Sequence, residues 1–170
     1  ALFYRSGLRV VTEQAQDTVY EVVRKNNEVL DSKLKQIVYD SQSLFADKEL
    51  FHIFNELDPA RKDELLTADR KISAILGRHF AHNEDMYAYQ IWTTYYTFGP
   101  QFPMPQGDPT RTTIYKEAKE AGGRLVWFPT YDFIEMFNQP WLSQADHYDY
   151  RYLFTAARVL NFSYLDNNTM

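Results

Sequence analysis

The chain reads Ala118-Lys-Glu-Ala-Gly-Gly-Arg-Leu-Val-Trp-Phe-Pro-Thr-Tyr-Asp132 at the point where its fold class is decided. The pair Gly122-Gly123 predicts the end of a helix that begins near Thr112, because glycine readily adopts the left-handed conformation that closes a helix. Strand-forming residues follow, and Pro129 is expected to end the strand because proline cannot donate a ladder hydrogen bond. A helix that turns through glycines into an aromatic strand predicts an α+β domain with a ligand-facing wall.

Composition favours one globular domain and excludes several kinds of site. The chain has 170 residues, of which 45% are hydrophobic and 24% charged, so wholesale disorder is excluded. The net charge of −5 argues against a nucleic-acid partner. Since there is no cysteine, thiolate catalysis, disulfides and cysteine-ligated metals are excluded. No apolar run reaches the roughly 18 residues that indicate a membrane span.

Residues 5–45 have the period of one long helix. Apolar residues recur mostly at steps of three and four, with one step of eight and one of seven, at Leu8, Val11, Ala15, Val19, Val22, Leu30, Leu34, Ile37 and Leu44. The polar residues Asn26 and Ser41 fall on the same stripe, where a polar side chain can set the register between paired helices. We therefore predict a signalling helix at 1–45 that self-associates in the intact protein, followed by a domain at 46–170. The alternative for the second half of the helix is a core helix lying across a sheet.

The rest of the chain alternates helices with strands. Asp58-Pro59 predicts a helix start, with Asp58 as N-cap and Pro59 at the first helical position. The predicted helices are Asp47–Glu56, Pro59–Arg78 and Thr112–Ala121; the predicted strands are Met86–Phe98 and Arg124–Phe128, with a loop at Gly99–Pro109 and either a strand or a helix at Tyr152–Phe162. The fold that this order predicts is a long N-terminal helix packed on an antiparallel sheet, truncated before a last strand.

This order of elements resembles the extracellular sensor region of bacterial membrane-bound histidine kinases of the YesM-like group, which carry Cache (PAS-like) folds. The matching pieces are the opening helix with Ser41-Gln-Ser-Leu-Phe45 near its end, Lys71–Phe80, Met86–Phe98, Ala118–Trp127, and the run Tyr152–Phe162 with Arg158, which is similar to the penultimate strand. The resemblance implies a domain on the extracellular face of a bacterial cell membrane, part of a two-component protein that senses a nutrient.

The ends of the chain suit the same expectation. The residues Ala1-Leu-Phe-Tyr-Arg5 are typical of the point where a membrane helix leaves the bilayer. Both ends look cut from a longer chain, so we expect flanking membrane spans that this sequence does not include. The alternative is a boundary within some other multidomain protein.

The resemblance also bears on the stimulus. Cache domains that bind amino acids carry Arg, one residue, Trp-Tyr, two residues and Ala, and later a Tyr and an Asp. This sequence keeps the Tyr, the Ala and the later pair at Tyr115, Ala118, Tyr131 and Asp132. Thr112 and Ile114 replace the Arg and the Trp, which argues against direct binding of an amino acid. The resemblance implies a carbohydrate signal delivered by a sugar-binding protein, because YesM-like kinases are often encoded with carbohydrate uptake systems. The alternatives are a Cache domain that binds a small molecule directly and an oligomerising interaction module of another secreted protein.

Six residues make up the predicted ligand- or partner-binding surface: Phe102, Met104, Tyr115, Trp127, Tyr131 and Asp132. Trp127 and Tyr131 flank a proline-stiffened turn beside Asp132, a combination that can stack on a sugar ring or a partner loop. The proline-rich loop can present its apolar side chains at little ordering cost. The alternative for Trp127 is a place in the core.

The sequence contains no complete catalytic or metal-binding constellation. His79 and His82 are spaced i, i+3 near Glu84-Asp85, which suits a metal, but they fall at a helix end, where a cationic side chain complements the helix dipole. Phosphate-loop, nucleophile-elbow and zinc-helix motifs are absent. We expect no cofactor, no metal and no catalysis in this chain, whereas the intact protein is expected to be a histidine kinase.

Overall fold

A computed structural model describes residues 2–84, 86–100, 105, 107–138 and 151–160, with side chains from residue 14 onward. The chain divides into two compact units, Ala1–Gln42 and Ser43–Met170. The elements are α1 (Leu2–Ser43), a 3-10 turn (Leu44–Ala46), α2 (Lys48–Glu56), α3 (Lys62–Phe80), β1 (Ile91–Trp92), β2 (Thr97–Phe98), a 3-10 turn (Pro109–Arg111), α4 (Thr113–Glu120), β3 (Val126–Asp132), α5 (Phe133–Met136) and β4 (Tyr152–Ala157).

The predicted α+β class, with its long N-terminal helix and antiparallel strands, is confirmed. β1 pairs with β2 and β3 pairs with β4, both antiparallel. The described strands therefore form two sheets of two strands each, where the sequence predicted one sheet.

Helix α1 is exposed on every side from residue 14 to residue 33. Its charged side chains pair within the helix: Arg24 bonds Glu21 at 2.8 Å, and Lys35 bonds Asp31 at 2.6 Å. Such i, i+3 and i, i+4 pairs stabilise an exposed helix by about 0.3–0.5 kcal/mol each. In the described part of the chain, no helix is both long enough and apolar enough to cross a bilayer.

The starts of α2 and α3 follow from local capping. Asp47 accepts the backbone N–H of Leu50 at 3.0 Å and caps α2, as a side-chain oxygen at an N-cap does. The predicted start of the next helix at Pro59 is wrong, because α3 begins at Lys62. Asp58 instead accepts the N–H of Ala60 at 2.9 Å, which closes a turn before the helix.

The first hydrophobic core lies between α2, α3 and the β1–β2 hairpin. Its fully buried side chains include Leu50, Ile72, Ile75, Leu76 and Phe98. Phe98 meets the ring of Phe54 edge-on at 5.3 Å, a geometry that adds about 0.5–1.5 kcal/mol to the area term.

The predicted strand Met86–Phe98 is wrong as a single strand, because it folds back on itself. Thr93 closes the turn: its Oγ1 accepts the N–H of Tyr96 at 2.9 Å and donates to the carbonyl of Tyr96 at 2.8 Å. The two short strands on either side pair Ile91 with Phe98. A threonine side chain that bonds the backbone locally competes with extended structure, which explains the break.

The second core lies under the β3–β4 sheet and is closed by α4 and α5. Its buried members are Ile114, Phe128, Phe133, Ile134 and Phe137. Strand β3 does not stop at Pro129, as predicted, but continues to Asp132, because the pairing with β4 shifts register between Phe128 and Tyr131. Pro129 therefore occupies a bulge, where its missing N–H costs no ladder bond.

β1 joins the two cores, because successive residues of a strand point to opposite sides. Ile91 packs against the first core, and Trp92 packs against the second. The Trp92 ring meets Phe137 edge-on at 5.9 Å, and its Nε1 donates to Gln90 Oε1 at 2.8 Å. The indole is thus satisfied within the fold.

Gly99 and Gly77 make a matched pair for testing the fold. Gly99 has φ +103°, and a Cβ there would lie 2.7 Å from the carbonyl oxygen of Tyr89, whereas a Cβ at Gly77 in α3 meets nothing within 4 Å. We expect Gly99→Ala to lower the free energy of unfolding by at least about 1–3 kcal/mol. Gly77→Ala is expected to raise it by about 0.5–1 kcal/mol. Urea denaturation measures both, and equal stabilities for the two variants would contradict this account of Gly99.

Candidate functional site

The β3–β4 sheet has two different faces. Its inner face packs on the second core through Val126, Phe128, Tyr131, Leu153 and Ala157. On the other face, Trp127 stacks on Phe154 with ring centroids 5.2 Å apart and planes 11° apart. Phe154 is 51% exposed and Tyr152 is 64% exposed. We call Trp127, Tyr152 and Phe154 the outer aromatic face.

The bulge at Pro129 decides which aromatic residues share a face. Simple alternation would place Trp127 and Tyr131 on the same side of β3. The pairing Phe128–Thr155 followed by Tyr131–Leu153 inserts one extra residue in β3, which reverses the alternation. Trp127 therefore faces outward with Phe154, whereas Tyr131 faces the second core.

Tyr131 is placed as a core residue. Its hydroxyl forms a 2.7 Å hydrogen bond with Thr155 Oγ1, and its ring meets Phe137 edge-on at 6.0 Å. Burial raises the pKa of the Tyr131 phenol, although the Thr155 hydrogen bond opposes this. The structure thus separates Tyr131 from Trp127, with which the sequence grouped it.

Asp132 is held at the end of β3 by two partners. Its Oδ1 accepts the N–H of Ile134 at 2.9 Å and caps α5, and its Oδ2 accepts Arg151 Nε at 2.6 Å. The side chain is only 11% exposed. Burial pushes the pKa of this carboxyl up, but the bonds from Arg151 and from the Ile134 N–H outweigh it and leave the pKa below 3.8.

The other predicted site residues are more scattered. Tyr115 lies half-buried on α4. The residue before it, Ile114, is the one that α4 contributes to the second core. The backbone N–H of Tyr115 donates to Thr112 Oγ1 at 3.2 Å, so Thr112 caps α4 near the helix start that the sequence predicted. Phe102 and Met104 lie outside the described residues, as does most of the loop around them.

A polar cluster that the sequence did not predict lies at the end of α1. Ser43, the last residue of α1, bonds His79 Nδ1 at 2.6 Å, and His79 Nε2 bonds Asp47 Oδ2 at 2.9 Å. In the tautomer protonated at Nε2, the serine donates to the ring and the ring donates to the carboxylate. His79 lies 36 residues from Ser43, so no local motif could have linked them.

This Ser43–His79–Asp47 chain is best interpreted as a structural clasp. Hydrolases of the Ser-His-Asp type bond the serine to Nε2 and the aspartate to Nδ1, the reverse of the order found here. Ser43 also ends a long helix, where the dipole is negative and would oppose a developing oxyanion.

The clasp also removes the basis for a metal at His79 and His82. Both ring nitrogens of His79 already have partners. Among the described residues, no group of three or more histidines, aspartates or glutamates could hold a metal ion.

The resemblance to YesM-like sensor domains rests on the residues of this chain alone. No model of a known protein family, no curated protein and no solved structure matches this chain.

Asp132 gives a prediction for the pH dependence of stability. A carboxyl whose pKa is lower in the folded state, as that of Asp132 is, contributes stability that is complete above the unfolded pKa and is lost as the pH falls through the folded value. We expect Asp132→Asn to be less stable than the parent at neutral pH and to lose less stability between pH 4 and acid. Thermal melts across that range measure this, with Asp17→Asn on exposed α1 as the matched control. Parallel stability curves for the parent and Asp132→Asn would contradict the assignment.

Proposed function

We propose that this chain is the extracellular sensor domain of a bacterial membrane-bound histidine kinase. It detects a nutrient signal, a carbohydrate presented by a sugar-binding protein, and relays it through α1 across the membrane. The chain itself carries no catalytic step in this proposal, and the membrane spans lie in flanking sequence. The proposal rests on two structural features and on the resemblance of its sequence to sensors of the YesM-like group.

The first supporting feature, and the one that carries the proposal, is the exposed apolar stripe of α1. Val19, Val22 and Leu30 lie on it and are each more than half exposed. Ala15, Asn26 and Ile37 repeat at intervals of eleven residues, which is three helical turns, so the stripe stays on one side of a nearly straight helix. A straight helix with one apolar side suits pairing with a second copy of itself.

The second part of this first feature is the backbone continuity of α1 with the first residues of the globular unit, which supports a relay. The last residue of α1, Ser43, belongs to that unit and is bonded to His79, and Leu44, which follows, is buried in the first core. Leu44 directly follows the last residue of α1, so a change of packing around Leu44 would be passed to that residue along the backbone.

The outer aromatic face is the second supporting feature. Exposed aromatic rings are typical of the centres of binding surfaces, and they also stack on sugar rings. Arg151, half-exposed beside Asp132, adds a charge at the edge of this face, where Asp132 pairs with Tyr152 across the strands. An aromatic centre with a polar edge suits a protein partner that carries a sugar.

Pairing through α1 is tested by single cysteines, since the chain has none of its own. Asn26→Cys lies on the stripe, and Asp17→Cys lies nine residues away on the opposite side of the helix. We expect sedimentation at micromolar concentration to give mostly monomer, because the membrane that would raise the effective concentration is absent. A short thiol cross-linker is expected to capture dimers of Asn26→Cys and not of Asp17→Cys.

A further variant locates the interface. Adding Leu30→Asp and Leu34→Asp to Asn26→Cys should abolish the cross-link, because two carboxylates would be forced into the seam. A tight dimer that survives both changes would place the interface elsewhere and would contradict the relay through α1.

Recognition is tested by calorimetry. Free sugars and amino acids are expected to bind weakly or not at all, whereas a sugar-loaded binding protein encoded with the kinase should bind measurably. Phe154→Ala should weaken that binding by at least about 1 kcal/mol if the residue is a hot spot. Tyr87→Ala is the matched control, since Tyr87 is an aromatic residue of similar exposure away from this face.

Two results would contradict recognition of a protein partner through the outer aromatic face. Submicromolar binding of a free sugar or amino acid, lost on changing Tyr115 or Asp132, would replace the partner-mediated proposal with direct sensing. Binding of the partner that is unchanged in Phe154→Ala would remove the outer aromatic face from the site.

A further inference from the structure

Segment 43–47, which we call the junction, is gripped from two sides. Ser43 and Asp47 bond the two nitrogens of His79 on α3. Phe45, between them, lies under the guanidinium of Arg158, whose Cζ is 4.9 Å from the ring centroid. Arg158 directly follows β4, so the end of the sheet that carries the outer aromatic face contacts the residues from which α1 extends.

Arg158 makes two contacts that together require a planar group. Its Nε and Nη2 both donate to the carbonyl oxygen of Gly123, at 3.1 Å and 2.9 Å, which fixes the plane of the guanidinium. The central carbon of that group, Cζ, lies over the Phe45 ring. Gly123 belongs to the turn between α4 and β3. Arg158, which follows β4, therefore contacts both this turn and Phe45 of the junction. Lysine keeps the charge but cannot form both bonds and stack.

The local environment strengthens the Phe45 contact. Arg158 is half-buried, and burial lowers the pKa of its guanidinium. A cation that has lost part of its hydration is attracted more strongly to an aromatic face than an exposed one. The contact therefore contributes more than a surface cation–π pair would.

We propose that Arg158 couples the β3–β4 sheet to the junction, so that a change in packing at the outer aromatic face alters the stability of residues 43–47. Phe154 lies on β4 and Arg158 follows four residues later, directly after the strand ends, and pairing between Trp127 and Ala156 ties that stretch to β3. A shift of β4 caused by losing the Phe154 stack moves Arg158, and Phe45 loses its cover. The biological meaning of this coupling rests on the proposed sensor function, but the coupling itself needs no ligand.

Amide hydrogen exchange on four chains tests the coupling: the parent, Phe154→Ala, Arg158→Lys and the double variant. We expect Phe154→Ala to raise exchange of the junction and the first turn of α2 about fivefold or more in the parent. In the Arg158→Lys background the same change should add little, because the connection is already broken. Residues more than about 10 Å apart with no shared partners would give additive effects instead.

Two controls keep the result unambiguous. Leu66→Ala, at an exposed position on α3, should change junction exchange equally little in both backgrounds. Phe45→Leu keeps an apolar side chain and leaves the Gly123 bonds in place, so it should also abolish the effect of Phe154→Ala, even if Arg158→Lys unfolds. Exchange of the α3 segment 68–76, which carries the buried residues Ala68, Ile72, Ile75 and Leu76, confirms that each variant is folded.

The outcomes separate this proposal from the sensor function. Additive effects of Phe154→Ala and Arg158→Lys, or an undiminished effect of Phe154→Ala in Phe45→Leu, would overturn the coupling whether or not a partner binds. If the coupling is observed but neither sugars nor a sugar-binding protein bind, the coupling through Arg158 stands and only the proposed stimulus is overturned.

Discussion

Burial of both Phe128 and Tyr131 beneath one sheet is the constraint on which the candidate site depends. These residues are three apart, so an unbroken strand would point them to opposite sides. The extra residue at Pro129-Thr130 resolves the conflict, and proline suits that place because a bulge leaves one N–H without a ladder partner in any case. Trp127 then remains outside without Tyr131, and Phe154 on the next strand becomes its partner. The outer aromatic face is thus a consequence of filling the second core.

Two short segments, β1 and the junction, each contact more than one part of the fold. β1 is only two residues long, yet Ile91 and Trp92 serve different cores because they lie on opposite sides of it. The junction works in the same alternating way, since Ser43 and Asp47 bond α3 while Phe45 meets Arg158. Short segments with alternating contacts hold this small α+β unit together, which makes its parts mutually dependent.

The sequence predicted those features that depend on local chemistry. The long helix followed from its period, α2 from its apolar residues, and the end of α4 from Gly122-Gly123. The failures have long-range or side-chain causes. Thr93 folded a predicted strand into a hairpin, and the bulge reversed the side to which Tyr131 points. The clasp of Ser43 with His79 and the cover of Phe45 by Arg158 join residues far apart in the chain, so no spacing rule could reveal them.

In the proposed sensor, the sequence of α1 suits weak, reversible pairing better than a permanent dimer. A stable dimer buries about 800 Å² on each partner. The stripe consists of leucine, valine, isoleucine and one alanine, and Asn26 interrupts it at a cost in stability while favouring one register. The charges beside it already pair within the helix, as in Arg24 with Glu21, and so contribute little to association. In the proposed sensor, pairing of this helix would be set by effective concentration and by the packing at Leu44, which is the behaviour that transmission of a signal requires.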